Sequence, residues 1–246
     1  MPFGDPVLTR GRYSARFAQN AQDLVRAQNL RARCFSTHAP DSDAFDAECR
    51  HMMVLDRQTD ELVCCFRIRL FQGAADLDRS YSAQFYDLTR LSGFPGRIAE
   101  LGRFCVRPGR RDPDILRIAW GALARFVDAN DIGLLTGCSS FAGTEVSAYL
   151  DSFALLKAAH LAPMRWMPGI KSGEVFRYSE LVRHSPDRTR GLAQMPPLLR
   201  SYLRMGGWVS DHAVVDRQMN TLHVFTALET EAIPKPRRRQ LLAISA

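Results

Sequence analysis

Residues 98–130 read IAELGRFCVRPGRRDPDILRIAWGALARFVDAN, and this stretch decides the fold. Residues 98–106 are apolar and β-prone, contain no proline, and lie between Pro95-Gly96 and Pro108-Gly109, which predicts a strand. A short basic turn follows. Asp112 then offers a helix N-cap, Pro113 suits the first helical position, and Leu116, Ala119, Trp120, Leu123, Phe126 and Val127 recur at helical spacing. A strand, a basic turn and a capped helix make an anion site. Unpaired amides and the positive end of the helix dipole face out of the turn, and Arg107, Arg110 and Arg111 add charge around them.

Glu100 and Arg103 sit three apart in the strand, so strict alternation points them to opposite faces. A bulge at Gly102 would instead turn both toward one cleft and expose a backbone amide. That cleft would hold a base, a cation and an oxyanion donor. The competing reading is a Glu–Arg pair at a strand end, with the glycine there for close packing.

Working outward, residues 13–35 read as a helix that ends near Phe35. The polar loop at 36–46, STHAPDSDAFD, carries Asp41, Asp43 and Asp46, which either ligate a cation or a substrate amine or stand as solvated turn aspartates. Residues 51–56 and 62–71 predict a hairpin whose second strand bears Arg67 and Arg69 on one face, and 83–91 reads as a lid. Gly133 offers a helix stop, 134–141 a strand, and 146–160 a second helix. Short strands follow within 165–183, and Pro196-Pro197 opens a further helix. Two strands at 208–215 and 221–228 close the core. The tail beyond Ile233 is basic and broken by proline, and predicts no structure.

Composition narrows the class. With 246 residues, 46% of them apolar and 24% charged, the chain can bury a full core as a soluble globular fold, and without repeats or a linker it reads as one α/β domain over 1–246 with a basic tail from about 234. No apolar run approaches the roughly 18 residues that span a bilayer, and the first thirteen residues lack a signal pattern, so the expected location is the cytoplasm. The net charge of +7 comes almost wholly from arginine, lysine standing only at 157, 171 and 235, and implies an acidic partner. The six cysteines show no C-x-x-C spacing and the histidines no paired spacing, which argues against zinc or a disulfide framework. No metal is expected. The arginines are dispersed and no nucleic-acid-binding signature is present, so a nucleic-acid partner is not expected.

Several motifs together resemble a known family. These are Arg31-x-x-x-Phe35, Asp43-x-x-Asp46, the Cys65-Phe66-Arg67 triplet, Glu100-Leu101-Gly102-Arg103 with Cys105-Val106, and Gly137-Cys138-Ser139-Ser140-Phe141-x-Gly143. The block PPLLRSYLRMGGWVSDHAVVD at 196–216, with Asn220-Thr221 after it, completes the set. The chain resembles the L-ornithine Nα-acyltransferases of ornithine-lipid synthesis, which are similar to N-acyl amino acid synthases and acyl-homoserine lactone synthases of the GCN5-related N-acetyltransferase (GNAT) fold. The resemblance implies a mixed, mostly antiparallel central sheet flanked by helices, its strands splayed to form an acyl-pantetheine cleft. It also implies a 3-hydroxyacyl donor carried on the 4'-phosphopantetheine of acyl carrier protein, and no separate cofactor. The turn RPGRRDP at 107–113 departs from the Q/R-x-x-G-x-G/A loop by which typical members of the fold cradle coenzyme A. That departure favours a carrier protein.

Under this reading Glu100 is the base that takes the proton of the attacking amine, directly or through water, and the amide near Gly102 holds the oxyanion. Arg103 or Arg67 forks the ornithine carboxylate. Asp43 and Asp46 either hold the δ-ammonium or form an ion-pair network with Arg31 that shapes an N-terminal lid beside Phe35. Arg107, Arg110 and Arg111 meet the pantetheine phosphate and the acidic carrier. The tail either touches an anionic membrane, giving a peripheral location at the inner face, or is solvated. The runner-up activity is an N-acyl amino acid synthase using glycine, lysine or glutamine, and a carrier-protein sensor without turnover is a further class.

Overall fold

β6 (Arg97–Val106) and α2 (Pro113–Ala129) form as the sequence predicts, with Asp112 capping the helix by accepting from the Asp114 amide at 2.9 Å. The computed structural model describes residues 7–35 and 39–244, with side chains through Leu241; residues 36–38 of the aspartate loop and the Leu242 side chain lie outside that description. Before β6 come β1 (Leu8–Arg10), β2 (Tyr13–Phe17), α1 (Ala21–Phe35), β3 (Arg50–Asp56), β4 (Glu61–Phe71) and β5 (Tyr86–Asp87). After α2 come β7 (Ile132–Ala142), α3 (Leu150–Ala159), β8 (Gly169–Ile170), β9 (Val175–Phe176), α4 (Tyr178–Leu181) and α5 (Arg188–Gln194). The chain closes with α6 (Pro197–Arg204), β10 (Trp208–Val209), β11 (Ala213–Asp216), β12 (Thr221–Glu229) and α7 (Lys235–Ile244).

These elements form two units whose segments alternate along the chain: the first within residues 1–70, 101–132 and 235–246, the second within 71–100 and 133–234. β6 is shared, Glu100 falling in the second unit and Gly102 and Arg103 in the first.

The first unit holds strands in the order β1-β2-β3-β4-β6, with antiparallel ladders from β1 to β4. The predicted hairpin is present, Arg50 pairing with Ile68 and Asp56 with Glu61. Ala27 and Leu30 of α1 bury against Met53, Leu55, Leu62, Cys65 and Cys105. Two expectations change here. Residues 13–17 are a strand rather than the start of α1, because Tyr13 to Phe17 pair residue for residue with β3; the helix begins after Asn20, whose side chain accepts from the Asp23 amide at 2.9 Å. The tail is also helical. Pro236 sits in the first turn of α7, where proline is tolerated, Leu241 is buried, and Arg238 reaches Asp128 of α2 at 3.1 Å.

The second unit holds β7-β12-β11-β9, with β10 also on β12 and a small β5–β8 pair, all antiparallel. The segment read as a lid is instead core: Ala83, Tyr86, Leu88 and Leu91 pack with Ile98, Leu134, Trp208 and Phe225. The expected strand at 208–215 divides into β10 and β11, and the expected helix at 146–160 begins as a 3-10 turn before α3. Gly133 does not stop α2, which ends at Ala129; it lies in β7, where a Cβ would meet the Phe94 ring at 3.2 Å. Asp131, at φ 50°, makes the left-handed step between helix and strand. Among the described residues no helix is long and apolar enough to cross a membrane.

Candidate active site

Three arginines and three aspartates of the first unit form one charge-balanced network, buried except at Asp43 and Arg103, which are partly exposed. Arg31, 1% exposed, donates from Nε to Asp41 at 2.8 Å and closes a fork on Asp46 from Nη1 and Nη2 at 2.8 and 2.9 Å. Arg67 bridges Asp43 and Asp46, donating from Nη2 to Asp43 at 2.8 Å and from Nη1 to Asp46 at 2.7 Å. Arg103 joins Asp41 at 2.9 Å and Asp43 at 3.3 Å. Gln28 and His51 complete the shell of Asp46, through its carboxylate and its carbonyl respectively, each at 3.0 Å.

Burial opposes the charges of Asp43 and Asp46, but the arginine hydrogen bonds outweigh it and hold both carboxyls below the usual range. Burial likewise opposes the charge on Arg31 and Arg67, and the aspartates overcome it. Asp46 pairs directly with Arg31, and Asp43 joins the same network through Arg67 and Arg103. Phe35 lies at its margin, 6.0 Å from the Arg103 guanidinium.

The left-handed residue in β6 is Arg103, at φ 53°, and not Gly102. Such a conformation costs a side chain of this kind about 1–2 kcal/mol, which the two aspartate contacts offset. Gly102 serves a different need. A Cβ there would lie 3.3 Å from Arg67 Nε, so the missing side chain lets Arg67 cross the strand on its way to Asp43 and Asp46.

The basic turn is tied to acidic partners. Arg107 pairs with Glu61 at 2.9 Å, and Arg110 bonds Glu61 and lies 3.9 Å from Asp56. Arg111 is exposed. The Tyr13 hydroxyl donates to Asp112 at 2.8 Å, fixing the cap at the mouth of α2. Glu61 was not among the residues the sequence singles out; its place at the start of β4, opposite a basic turn, carries no local motif.

In the second unit Glu100, 5% exposed, accepts one backbone amide on each carboxylate oxygen, from Tyr81 and Ser82, both at 2.8 Å. The two amides fix the orientation of the carboxylate. Ser82 Oγ lies 3.5 Å from Cys138 Sγ on β7. Glu100 and Arg103 thus engage different partners within their own units. Among the described residues no group of three or more His, Cys, Asp or Glu is placed to hold a metal ion.

A mostly antiparallel sheet flanked by helices gives the chain the GNAT fold, and residues 26–121 match the acetyltransferase (GNAT) domain family. A GNAT-like decarboxylase solved in complex with isobutyryl-CoA shares the fold, with a TM-score of 0.50 at 16% identity over 88% of this chain and 98% of that one. The chain belongs to the family of L-ornithine N(alpha)-acyltransferases. It is 33% identical to the Rhodobacter capsulatus enzyme of that name over 92% of this chain and 93% of that one. The Agrobacterium fabrum enzyme of the same name is 30% identical over 91% of this chain and 83% of its own length.

Proposed function

We propose that the protein transfers a 3-hydroxyacyl group from acyl carrier protein to the α-amine of L-ornithine, giving lyso-ornithine lipid, the first step of ornithine-lipid synthesis. The observation that carries this reading is the 33% identity, nearly end to end, with the Rhodobacter capsulatus enzyme. The amine nitrogen attacks the thioester carbonyl, its proton passes to a base, and the C–S bond breaks to release the pantetheine thiol. An α-amine near pKa 8 is deprotonated far more easily than a lysine-type amine near about 10.4, which favours Nα over Nδ.

Glu100 is the base, held by the Tyr81 and Ser82 amides and acting directly or through water. The Gly102 amide is the oxyanion donor. Arg31 and Arg67 set the aspartate network. Asp43, whose side chain is 24% exposed, is its most open aspartate and the one suited to the ornithine δ-ammonium. Arg103, at the margin beside Phe35, takes the carboxylate. Arg107, Arg110 and Arg111 meet the pantetheine phosphate and the acidic carrier, and no separate cofactor is needed. The reaction takes place in the cytoplasm, where the amphiphilic product can pass to the inner membrane face.

The test is to incubate the purified protein with 3-hydroxyacyl carrier protein and an equimolar mixture of amino acids including ornithine, and to read the products by mass. A 3-hydroxyacyl-ornithine is expected. A product on glycine, lysine or glutamine overturns the substrate, and carrier binding without any product overturns the enzyme.

A further inference from the structure

His223 of β12 is 2% exposed, and its Nε2 is buried without a hydrogen-bond partner among the described residues. Buried polar atoms are paired in the large majority of cases, so an orphan in a core asks for a reason. Its other nitrogen is fixed. The Tyr86 hydroxyl lies 2.8 Å from the His223 carbonyl and 3.1 Å from Nδ1. The single hydroxyl proton goes to the nearer oxygen, so Nδ1–H donates to the Tyr86 oxygen and the lone pair is left on Nε2. Burial, with His212 adding to it and Asp216 opposing, lowers the imidazole pKa to about 4 and keeps the ring a neutral acceptor.

The surroundings select the kind of donor. Phe85 meets the imidazole edge to face with centroids 4.8 Å apart, Tyr86 lies at 5.6 Å, and Tyr86 continues to Phe225 at 5.7 Å. Phe85, Tyr86 and Phe225 make this side of the imidazole aromatic and apolar, continuous with the core of Leu88, Leu134 and Trp208, and the buried His212 ring lies 5.2 Å from Tyr86. Such surroundings suit a hydrocarbon chain. In the β7–β12 ladder His223 stands opposite Ser140 and Phe225 opposite Cys138, so these side chains share a sheet face. Cys138 reaches Ser82, whose amide holds Glu100, so the orphan acceptor belongs to the same group of contacts as the proposed base.

We propose that His223 reads the hydroxyl of the acyl chain: Nε2 accepts a hydrogen bond from that O–H while the aromatic walls take the hydrocarbon beside it. The inference rests on the acyl-transfer reading above. A donor without the hydroxyl leaves Nε2 buried and unpaired, the circumstance in which polar sites discriminate strongly.

The experiment compares kcat/KM for a 3-hydroxyacyl carrier protein and the matching saturated acyl carrier protein, with ornithine as acceptor. The wild-type protein is expected to favour the hydroxylated donor by at least about tenfold. His223→Leu is expected to bring the ratio close to one through a loss of kcat/KM for the hydroxylated donor. His223→Gln, which restores an amide near the Nε2 position, is expected to recover part of the preference. Tyr86→Phe keeps the ring packing and releases the tautomer, and is expected to lower the ratio severalfold even where the leucine variant fails to fold. An unchanged ratio in Tyr86→Phe and in any folded His223 variant overturns the proposal, as does a wild-type ratio near one. Wild-type protein that acylates ornithine from neither donor overturns the acyl-transfer reading itself.

Discussion

Arg67 crosses β6 directly over Gly102: a Cβ at 102 would stand 3.3 Å from Arg67 Nε, closer than side chains ordinarily approach. The guanidinium cannot swing aside without cost, because Asp43 and Asp46 hold it through contacts that include 2.8 and 2.7 Å hydrogen bonds. Gly102→Ala is therefore expected to destabilise the fold by about 1–3 kcal/mol, the usual range for a methyl forced into packed space. Urea denaturation checks this. A variant as stable as wild type would mean that Arg67 relaxes freely, and would remove the packing role of Gly102.

Arg103 tests the neighbouring position. At φ 53° an arginine bears strain that glycine would not, while both glycine and alanine lose the contacts to Asp41 and Asp43. Arg103→Gly should therefore retain more stability than Arg103→Ala, by about 1 kcal/mol. Equal melting temperatures for the two would show that the left-handed backbone stores no strain.

The aspartate network predicts how stability depends on pH. Asp43 and Asp46 have folded pKa values below their unfolded value of about 3.9, so their contribution is complete above that pH and is lost as pH falls toward the folded values. Unfolding free energy measured from pH 6 to pH 2.5 should fall steeply below about pH 4. Asp46→Asn, less stable at neutral pH, should show a shallower slope there. The same slope in both proteins would dissociate the network from acid unfolding.

Glu100 has a structural duty as well as its proposed chemical one. Glu100→Gln keeps one carboxyl-type oxygen for an amide but turns an NH2 toward the other, so about 1–3 kcal/mol of stability is expected to go with it. Turnover should fall at least about tenfold at temperatures where the variant is fully folded, with carrier-protein binding retained. Stability loss with wild-type turnover would leave Glu100 as a loop anchor alone.

What the sequence made legible follows the range of each signal. The β6-turn-α2 segment could be read because its strand boundaries, the Asp112 cap and the apolar period of α2 are all local. The residues 13–17 could not, since only pairing with β3, some 35 or more positions away, makes them a strand. Proline near the start of α7 looks like a breaker until the helix is seen to begin there and to bury Leu241. For the site, the aspartates and arginines were visible as charged motifs, but their mutual pairing joins β4, β6, α1 and the loop between α1 and β3 across up to 62 positions. His223 and Glu61 carry no motif at all. Their significance lies in an unpaired nitrogen and in two arginines brought from a distant turn.

The basic turn supplies the last test. Arg107 and Arg110 share the single carboxylate of Glu61, and Arg111 beside them is exposed, so the turn retains positive charge at the start of α2. If it receives an acidic carrier protein, Arg111→Glu should raise KM for the acyl carrier several-fold and leave kcat nearly unchanged, because an exposed charge governs encounter more than chemistry. The effect should shrink as salt rises from about 0.01 to 1 M and the screening length contracts from roughly 30 to 3 Å. Glu61→Gln should act in the opposite sense by removing the carboxylate that Arg107 and Arg110 share, at some cost in stability. Salt-independent kinetics in both variants would place the carrier elsewhere on the protein and leave Arg107 and Arg110 a structural role around Glu61.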